Sequence, residues 1–315
     1  MSGRATRPEL SIVIPAYNEA RRLPESFARL HAYLSKKPFA SEVIVVDDGS
    51  DDTTSAVVKA WISRWPALRL VQSAHLGKGG AVRAGVLAAR GEWIALADAD
   101  FSMPVEEFDR LRDADAGPYD IAIASREAAG ARRFGEPFYR HLMGRAFNAL
   151  VQFVALSGIE DTQCGFKLMR RDVALDLCLH QTIQGWGFDV ELLSIARQRG
   201  YRIYEAPITW YYMAGSRVRP LRDAFTMARD LFRVRYNIAR GRYERRLVAI
   251  TVAHDLGDGA DAHTDLYGDD DSSDGADETE IGDVAAGGAS SLTTFELRDQ
   301  REPRDQRDER GKHKQ

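Results

Sequence analysis

The sequence predicts an α/β fold in which helices cover both faces of a mostly parallel sheet. Short runs rich in Val, Ile, Leu and Ala recur along the first part of the chain, and amphipathic segments of helical length separate them. The runs are apolar at nearly every position, which is typical of parallel strands buried on both faces. With 315 residues, 44% of them hydrophobic, the chain is long enough to build the core that such a sheet needs.

Five strands are expected in the first part of the chain, at residues 10–17, 41–49, 68–74, 93–100 and 120–126. Helical patterns separate the first four strands and cover about residues 21–35, 53–65 and 79–90. Strands that alternate with helices in this way form a parallel sheet, in which ligands bind beyond the carboxyl ends of the strands. The polar residues that close these strands are therefore expected at one binding edge.

The pattern changes after residue 126. A helix is expected at residues 138–156, where Arg and His side chains surround an apolar series at Leu142, Phe147, Leu150, Val151 and Val154. Residues 201–212 predict a strand, and residues 220–240 predict a basic helix. The apolar stripe of that basic helix consists of Leu221, Phe225, Ala228, Leu231 and Phe232. Two interpretations of the helix stay open: its stripe closes the core, or it lies in the headgroup layer of a membrane.

Charge is unevenly distributed along the chain. From His254 onward there are 18 acidic and seven basic residues, whereas the residues before it include 36 basic and 29 acidic ones. The basic body indicates anionic partners. Residues 255–315 nearly lack large apolar side chains, so we expect a disordered acidic tail. The predicted organisation is an extension (1–9), a domain (10–245, with halves 10–126 and 127–245) and this tail.

Targeting signals and membrane spans are not predicted. No apolar run approaches the ~20 residues that a transmembrane helix requires, and the N-terminus lacks the pattern of a signal peptide. Cys164 and Cys178 match neither a metal-binding nor a disulfide pattern, which favours a reducing compartment. We therefore expect a protein that is soluble or lies on a membrane surface.

Asp98 and Asp100 close the fourth predicted strand, one residue apart. Side chains two positions apart on a strand point to the same face, where two carboxylates repel each other unless a cation lies near them. Mg²⁺ or Mn²⁺ would relieve this repulsion and could hold a diphosphate, because both ions prefer oxygen ligands. The alternative is a solvated strand end followed by a helix that begins near Ser102.

Polar clusters also follow the first two strands. The segment PAYNE ends the first strand with Tyr17 and Glu19, and the segment VVDDGS ends the second with Asp47 and Asp48. A tyrosine ring beside a carboxylate can hold a nucleoside. By itself, DDGS also forms ordinary turns and helix caps. Three polar clusters at one edge of a sheet favour a binding site over three unrelated turns.

The segment HLGKGGAVRAG resembles a phosphate-binding loop only superficially. Its glycines fit neither the P-loop spacing nor the dinucleotide spacing, which argues against an ATPase or a dinucleotide enzyme. The segment instead predicts a glycine turn that enters a helix. Lys78 would then lie near an anion or a base carbonyl at the start of that helix.

Taken together, the motifs resemble the family 2 glycosyltransferases of the GT-A fold. Within that family they are most similar to the polyprenyl (dolichyl) phosphate β-glucosyltransferases and the dolichyl-phosphate mannose synthases. The motifs occur in order between residues 10 and 243: PAYNE, VVDDGS, GKGGAVRAG, DADFS, SR, DTQCGFK, GWGFDVELL and AGSRV. The resemblance implies an inverting transfer of a hexose to a polyprenyl phosphate, with UDP-glucose as the first choice of donor and GDP-mannose as the second.

The resemblance also implies roles for individual residues. The donor site would consist of Pro15, Tyr17, Glu19, Asp48, Lys78 and Asp98. Asp98 and Asp100 would form the D-x-D pair that binds Mg²⁺ or Mn²⁺ together with the donor diphosphate. The expected partners are therefore a nucleotide sugar, a polyprenyl phosphate and a membrane surface, and not a nucleic acid.

The acceptor side depends on cations and acids in the second half of the domain. A phosphate monoester has a second pKa near ~6, so its position matters more than removal of a proton. The candidate phosphate-binding cations are Arg126, Arg132, Arg133, Lys167 and Arg217. Of these, Arg126 and Arg217 join the predicted catalytic set. Asp161 and Asp189 are equal candidates among the acids, since Asp189 and Glu191 lie roughly 200° apart on a helix and cannot serve one centre.

Several alternatives stay open. The acceptor could be soluble, or the chain could bind a sugar nucleotide without turnover. A nucleotidyltransferase is disfavoured, because no glycine-rich activating loop follows the first strand. In the family, the eukaryotic glucosyltransferases carry an N-terminal membrane anchor and many mannose synthases carry C-terminal spans, and this sequence predicts neither. We therefore expect a peripheral protein at the cytoplasmic face of a membrane.

Overall fold

A computed structural model describes residues 7–112, 117–213 and 220–244 of the chain. The strands are β1 (Leu10–Ala16), β2 (Ser41–Asp48), β3 (Leu68–Ser73), β4 (Trp93–Leu96), β5 (Ile121–Ser125), β6 (Arg132–Phe134), β7 (Lys167–Arg170), β8 (Ile203–Pro207) and β9 (Thr209–Tyr211). The helices are α1 (Leu23–Leu34), α2 (Thr54–Ile62), α3 (Lys78–Ala88), α4 (Phe108–Leu111), α5 (Phe138–Val154), α6 (Arg171–His180), α7 (Phe188–Gln198) and α8 (Pro220–Ala239). Arg217 and the tail predicted at 255–315 lie outside the described ranges.

Seven strands form one sheet in the order β3-β2-β1-β4-β7-β5-β8. β3, β2, β1 and β4 are parallel, β7 is antiparallel to both of its neighbours, and β5 pairs in parallel with β8. The mostly parallel sheet predicted from the sequence is therefore confirmed. β6 and β9 form a separate two-stranded parallel sheet.

The single strand predicted at residues 201–212 is wrong in one respect, because the segment divides between two sheets. β8 ends at Pro207 in the large sheet, and β9 begins at Thr209 in the small one. Ile208 joins them: its N–H donates to the Ser125 carbonyl, and its carbonyl accepts from the Arg132 N–H. Consecutive residues thus hydrogen-bond to β5 and to β6, and the backbone passes from one sheet to the other.

Helices cover both faces of the large sheet, as the apolar strands require. In β1, Ile12 and Ile14 pack in the same cluster as Phe27 of α1. Val13 points to the opposite face and packs with Val82 of α3. α1, α2 and α4 contribute to the first cluster, whereas α3, α6 and α7 contribute to the second.

The strand predicted at 93–100 is shorter than expected, since β4 ends at Leu96. Ala97 still donates its N–H to the Val13 carbonyl, and the chain then turns, with the Phe101 N–H donating to the Asp98 carbonyl. Phe101 has a φ of 43°, which is incompatible with a strand. Asp98 and Asp100 therefore lie on a turn beyond the strand, and the same-face argument for a strand pair does not apply to them.

The predicted apolar faces of α5 and α8 differ from those observed. On α5, Val151 is buried, whereas Leu142 and Leu150 are exposed. On α8, Leu231 is buried with Val234, but Phe232 of the predicted stripe is exposed. In the described part of the chain, no helix is both long enough and apolar enough to cross a bilayer.

A buried carboxylate joins α7 to the end of α8. Glu191 is fully buried and accepts hydrogen bonds from the Thr182 N–H and hydroxyl, the Ile183 N–H and the Tyr243 hydroxyl. Asn237 of α8 donates to the same Tyr243 hydroxyl. These bonds compensate the cost of burying the carboxylate, so Glu191 belongs to the framework of the fold.

We expect Glu191→Leu to lower the free energy of unfolding by about 3 kcal/mol or more, because it leaves several buried donors without an acceptor. Urea denaturation followed by circular dichroism measures the change. Glu25→Leu on the exposed side of α1 is the matched control and should change the value by less than about 0.5 kcal/mol. A Glu191→Leu protein as stable as this control would contradict the framework role.

Candidate active site

The centre of the site is an ion pair between Lys78 and Asp98. The Lys78 Nζ lies 2.6 Å from the Asp98 Oδ1. Lys78 is the first residue of α3, and Asp98 lies in the turn after β4. Gly165 of the DTQCGFK motif approaches the carboxylate so closely that a Cβ on it would lie 2.2 Å from the Asp98 Oδ2. Three segments of the chain therefore converge on one carboxylate.

The two acids of the D-x-D pair differ in their electrostatic surroundings. Burial raises the pKa of Asp98, but the positive charges of Lys78, Lys167 and Arg126 outweigh burial, so this pKa lies below its usual value. Burial raises the pKa of Asp100, and the negative charge of Asp98 raises it further. Asp100 also accepts a hydrogen bond from the Ser102 N–H. The site therefore holds one carboxylate stabilised by cations and a second one for which the charges of Arg22 and Lys78 do not outweigh burial and the charge of Asp98.

A second ion pair lies beneath the first. The Lys167 Nζ is buried, lies 2.5 Å from the Asp189 Oδ1 and donates to the Cys164 carbonyl. Burial lowers the pKa of the Lys78 ammonium, but the charges of Asp98 and Asp189 outweigh burial and raise the net value. Lysines and carboxylates thus alternate in one group, which is buried at Lys167 and Asp189 and partly exposed at Lys78 and Asp98.

Of the two acids on α7, Asp189 belongs to this group, whereas Glu191 is hydrogen-bonded to Thr182 and Tyr243. Lys167 differs from the expectation that it would bind phosphate. Its ammonium is covered by the core and by Asp189, so it is not accessible to an acceptor. Cys164 is buried as well, and burial raises the pKa of its thiol to about 11, which makes it a poor nucleophile at neutral pH.

Tyr17, His75 and Asp48 form a second cluster at the same edge of the sheet. The Tyr17 ring stacks on the His75 ring with centroids 4.2 Å apart. The carboxylate of Asp48 accepts from the Leu76 and Gly77 N–H groups at 2.9 Å each. Asp48 therefore fixes the turn that leads into α3, while the aromatic pair stands beside it.

Pro15 and Glu19 complete the part of the site that comes from β1. Pro15 lies within β1, two residues before Tyr17. Glu19 forms an ion pair of 3.2 Å with Arg22. A cleft of about 210 Å³ beside Asp100 is lined by Arg21, Arg22, Glu25, Ser26, Arg29 and Met213. Its three arginines make it suitable for an anion.

Arg126, which follows β5, forms an ion pair with Asp161 of the DTQCGFK motif. The Arg126 Nε and Nη2 donate to the two Asp161 oxygens at 2.7 and 2.9 Å, and its backbone N–H donates to the same carboxylate. Burial raises the pKa of Asp161, but the Arg126 guanidinium outweighs burial and brings it down to about 2. The guanidinium also lies 5.5 Å from the centre of the Trp210 ring. Asp161 is therefore a stable anion that orients Arg126.

The other predicted phosphate-binding arginines are in different situations. Arg133 contacts Glu127 and Glu136 and donates to the Arg126 carbonyl. Arg132 is exposed on β6. Arg217 of the AGSRV motif lies outside the described residues, so its predicted role stays a prediction.

Most of the predicted site residues meet at the carboxyl edge of the sheet. Sequence reasoning missed His75, which stacks on Tyr17, and it missed the close approach of Gly165 to Asp98. The Trp186 ring, which is partly exposed, lies 5.3 Å from the Lys78 Nζ. Of these missed contacts, the one with a signal in the sequence was that of Gly165, which lies within the DTQCGFK motif.

Comparison with known proteins tests the family resemblance. The model of glycosyl transferase family 2 matches residues 11–177. A dolichyl-phosphate beta-glucosyltransferase of Homo sapiens is 36% identical over 250 residues, covering 74% of this chain and 76% of the relative. The corresponding protein of Dictyostelium discoideum is 34% identical over 249 residues, covering 74% and 75%. These matches confirm the family resemblance on which the sequence interpretation rests.

Solved structures share the fold at low sequence identity. Mannosyl-3-phosphoglycerate synthase from Rubrobacter xylanophilus superposes with a TM-score of 0.56 at 17% identity, covering 76% of this chain and 77% of the other. Glucosyl-3-phosphoglycerate synthase from Mycobacterium tuberculosis, solved with Mn²⁺, UDP and phosphoglyceric acid, gives 0.52 at 18% identity, with coverage of 78% and 81%. The predicted GT-A fold is thereby confirmed.

We expect Asp161→Asn to cost on the order of 2 kcal/mol of unfolding free energy at neutral pH, because the Asp161 pKa falls from 3.8 to about 2 in the folded chain. A carboxyl with a lowered pKa stabilises the fold above its unfolded pKa. The difference between the wild type and the variant should therefore shrink as the pH falls from about 4 towards 2.

Urea denaturation of both proteins over this pH range tests the expectation. Asp172→Asn, which alters a half-exposed carboxylate on α6, is the matched control and should have a small effect at every pH. A constant difference between wild type and Asp161→Asn down to the lowest pH would contradict the assignment.

Proposed function

The chain belongs to glycosyl transferase family 2, and from this premise we propose that it transfers glucose from UDP-glucose to a polyprenyl phosphate at a membrane surface. The transfer inverts the anomeric carbon and gives a β-linked product. The names of the relatives support the sugar and the dolichyl type of acceptor. The chain is a hexosyltransferase in this proposal, with Pro15, Tyr17, Glu19, Asp48 and Lys78 on its donor side.

The proposal rests on one observation: the carboxylates on the proposed acceptor side form ion pairs with basic side chains. Asp161 is paired with Arg126, and Asp189 is paired with the buried Lys167. A carboxylate with a pKa of about 2 is a weak base at neutral pH, so Asp161 is poorly suited to deprotonate an alcohol. A phosphate acceptor needs no such base, because it is already largely ionised at this pH. The site therefore favours a phosphate over a hydroxyl as nucleophile.

In the proposed step, an oxygen of the polyprenyl phosphate attacks the anomeric carbon from the side opposite to UDP. The new bond joins that oxygen to the sugar, while the bond between the sugar and the β-phosphate breaks and its electron pair leaves with UDP. Arg126 orients the attacking phosphate, and Asp161 holds the guanidinium in position. Lys78 lies close to the leaving diphosphate in this arrangement and offsets part of its charge.

Asp98 and Asp100 fit a divalent cation that takes its other ligands from the donor. No group of three or more His, Cys, Asp or Glu side chains in the described ranges could hold a metal without the substrate. Two carboxylates and the oxygens of a diphosphate form a common set of ligands for Mg²⁺ or Mn²⁺, and the repulsion between Asp98 and Asp100 would be relieved. Such an ion would act as a Lewis acid that stabilises the leaving diphosphate.

The location of the reaction follows from its acceptor. A polyprenyl phosphate keeps its chain in a bilayer and exposes its headgroup, so the enzyme has to work at the membrane surface. We place the protein at the cytoplasmic face, as a peripheral protein, in line with the reducing compartment that its free, buried cysteines favour.

We expect purified protein to transfer label from UDP-glucose to a short polyprenyl phosphate in the presence of Mg²⁺ or Mn²⁺, as measured by extraction into organic solvent. Asp100→Ala should lower the rate by about 100-fold or more, because the charge of the leaving diphosphate loses its stabilisation. Asp172→Ala, remote from the site, is the matched control and should keep the wild-type rate.

The other outcomes of this assay separate the alternatives. Label from GDP-mannose instead of UDP-glucose would change the donor and keep the acceptor. Donor hydrolysis without organic label would move the acceptor into water. Donor binding without turnover under any condition would contradict an enzyme and leave a binding module.

We also expect Mn²⁺ to strengthen the binding of UDP to the wild-type protein by about tenfold or more, because Asp98 and Asp100 would hold the ion and the ion would offset the charge of the diphosphate. Isothermal titration calorimetry with UDP, with and without the ion, measures this effect independently of activity. In Asp100→Ala the effect of Mn²⁺ should largely disappear. Equal enhancement in wild type and variant would show that the ion does not use Asp100.

A further inference from the structure

Helix α5 exposes an apolar stripe to solvent. At 100° per residue, seven side chains of α5 fall within about 60° of the Tyr139 direction; Val154 is half-buried against the core, and the other six are exposed. The exposed six are Tyr139, Leu142, Met143, Ala146, Leu150 and Phe153. The exposed fractions of Leu142 and Phe153 are 57% and 89%. A helix of a soluble protein normally turns its apolar stripe towards the core, so α5 shows the reverse arrangement.

The ionic side chains on α5 itself are basic. α5 contains Arg140, His141 and Arg145 and has no Asp or Glu, while Glu127 lies 3.5 Å from Arg145 and Glu136 lies 3.5 Å from His141. α8 packs against α5 and exposes Phe232, while its Arg229 side chain is 72% exposed. Aromatic rings and arginines around an apolar stripe are typical of helices that lie at the surface of an anionic bilayer.

The same helix is connected to the acceptor side of the active site. Asn148 of α5 donates to the Glu160 carbonyl and accepts from the Thr162 hydroxyl. These two residues flank Asp161, whose carboxylate holds Arg126. A surface that lies against α5 is therefore coupled, through one side chain, to the loop that orients the cation for the acceptor phosphate.

We propose that the outward stripe of α5 docks the protein on an anionic lipid bilayer, with the acceptor side of the site held near the headgroups. The proposal rests on the proposed function for its purpose, since a lipid-bound acceptor explains why docking is needed. The six side chains named above would enter the boundary between headgroups and acyl chains. Arg145, which is 64% exposed, would stay at the level of the lipid phosphates.

A bilayer accounts for the stripe better than two protein occupants do. In a twofold dimer through α5, the facing helices would bring arginines and no carboxylate, and Arg145 is already paired with Glu127 of its own chain, so the opposite copy would supply no complementary charge. The chain's own segment 255–315 is acidic but nearly lacks large apolar side chains, so it has little with which to cover an apolar stripe.

Flotation with vesicles of phosphatidylcholine and phosphatidylglycerol tests the proposal on the full chain. We expect Leu142→Gln combined with Phe153→Gln to reduce the fraction bound to vesicles by about tenfold or more, because two apolar side chains no longer favour transfer out of water. Leu87→Gln on α3, another exposed leucine, is the matched control and should bind as the wild type does. Leu142→Trp should keep binding and report insertion by a blue shift of its emission.

Activity separates docking from the proposed function. Transfer to a short, water-soluble polyprenyl phosphate should be unchanged in the double variant, whereas transfer to a long-chain acceptor in vesicles should fall. A wild-type protein that binds vesicles but transfers no sugar would overturn the function and leave docking intact. Docking would be overturned if the double variant bound vesicles as well as the wild type does. It would also be overturned if light scattering showed that the double variant had lost a dimer while its vesicle binding was unchanged.

Discussion

The contact between Lys78 and Asp98 forms only when several separate segments of the chain are packed together in one way. The lysine begins α3, the aspartate follows β4, and Gly165 lies against the aspartate from a third segment. Beneath them, Lys167 and Asp189 add a fourth and a fifth position to the same group. A charge removed from water is costly unless a charge of opposite sign lies beside it. Each of these segments therefore has to stay where its charge is paired with a charge from another segment. The site is in this sense part of the framework of the fold.

Charge pairing also differs between the two halves of the site, and so does the chemistry that each half can perform. On the proposed donor side, Asp100 is left with a raised pKa and without a partner as close as Lys78 is to Asp98, which favours a cation brought in with the substrate. On the proposed acceptor side, Asp161 is fully satisfied by Arg126, and the pair presents a fixed guanidinium instead of a base. An enzyme for an acceptor that is already ionised can use its carboxylates to orient cations.

The sheet and the edge at which the site lies were predictable from the sequence, because a run that is apolar at nearly every position has few interpretations other than a buried strand. The length of β4 was not predictable, since a strand ends where its pairing with the neighbouring strand ends. Here the pairing with β1 ends at Val13. Of the apolar series that periodicity identified on α5, Phe147, Val151 and Val154 pack against the core, whereas Leu142 and Leu150 are exposed, a difference that tertiary packing decides. His75 could not be predicted, because its stacking on Tyr17 joins two loops that no local pattern relates.

The hydrogen bond from Tyr243 to Glu191 also limits how far the chain can be shortened. Tyr243 lies after α8, close to the end of the described residues, and is itself buried. Its backbone carbonyl accepts a hydrogen bond from Arg199 as well. A protease or a stop codon that removed everything after Asn237 would leave a buried carboxylate one donor short and open the pocket that the ring fills. A cut after Glu244 would spare both, so the minimal folded unit extends through residue 244 and past the last turn of α8.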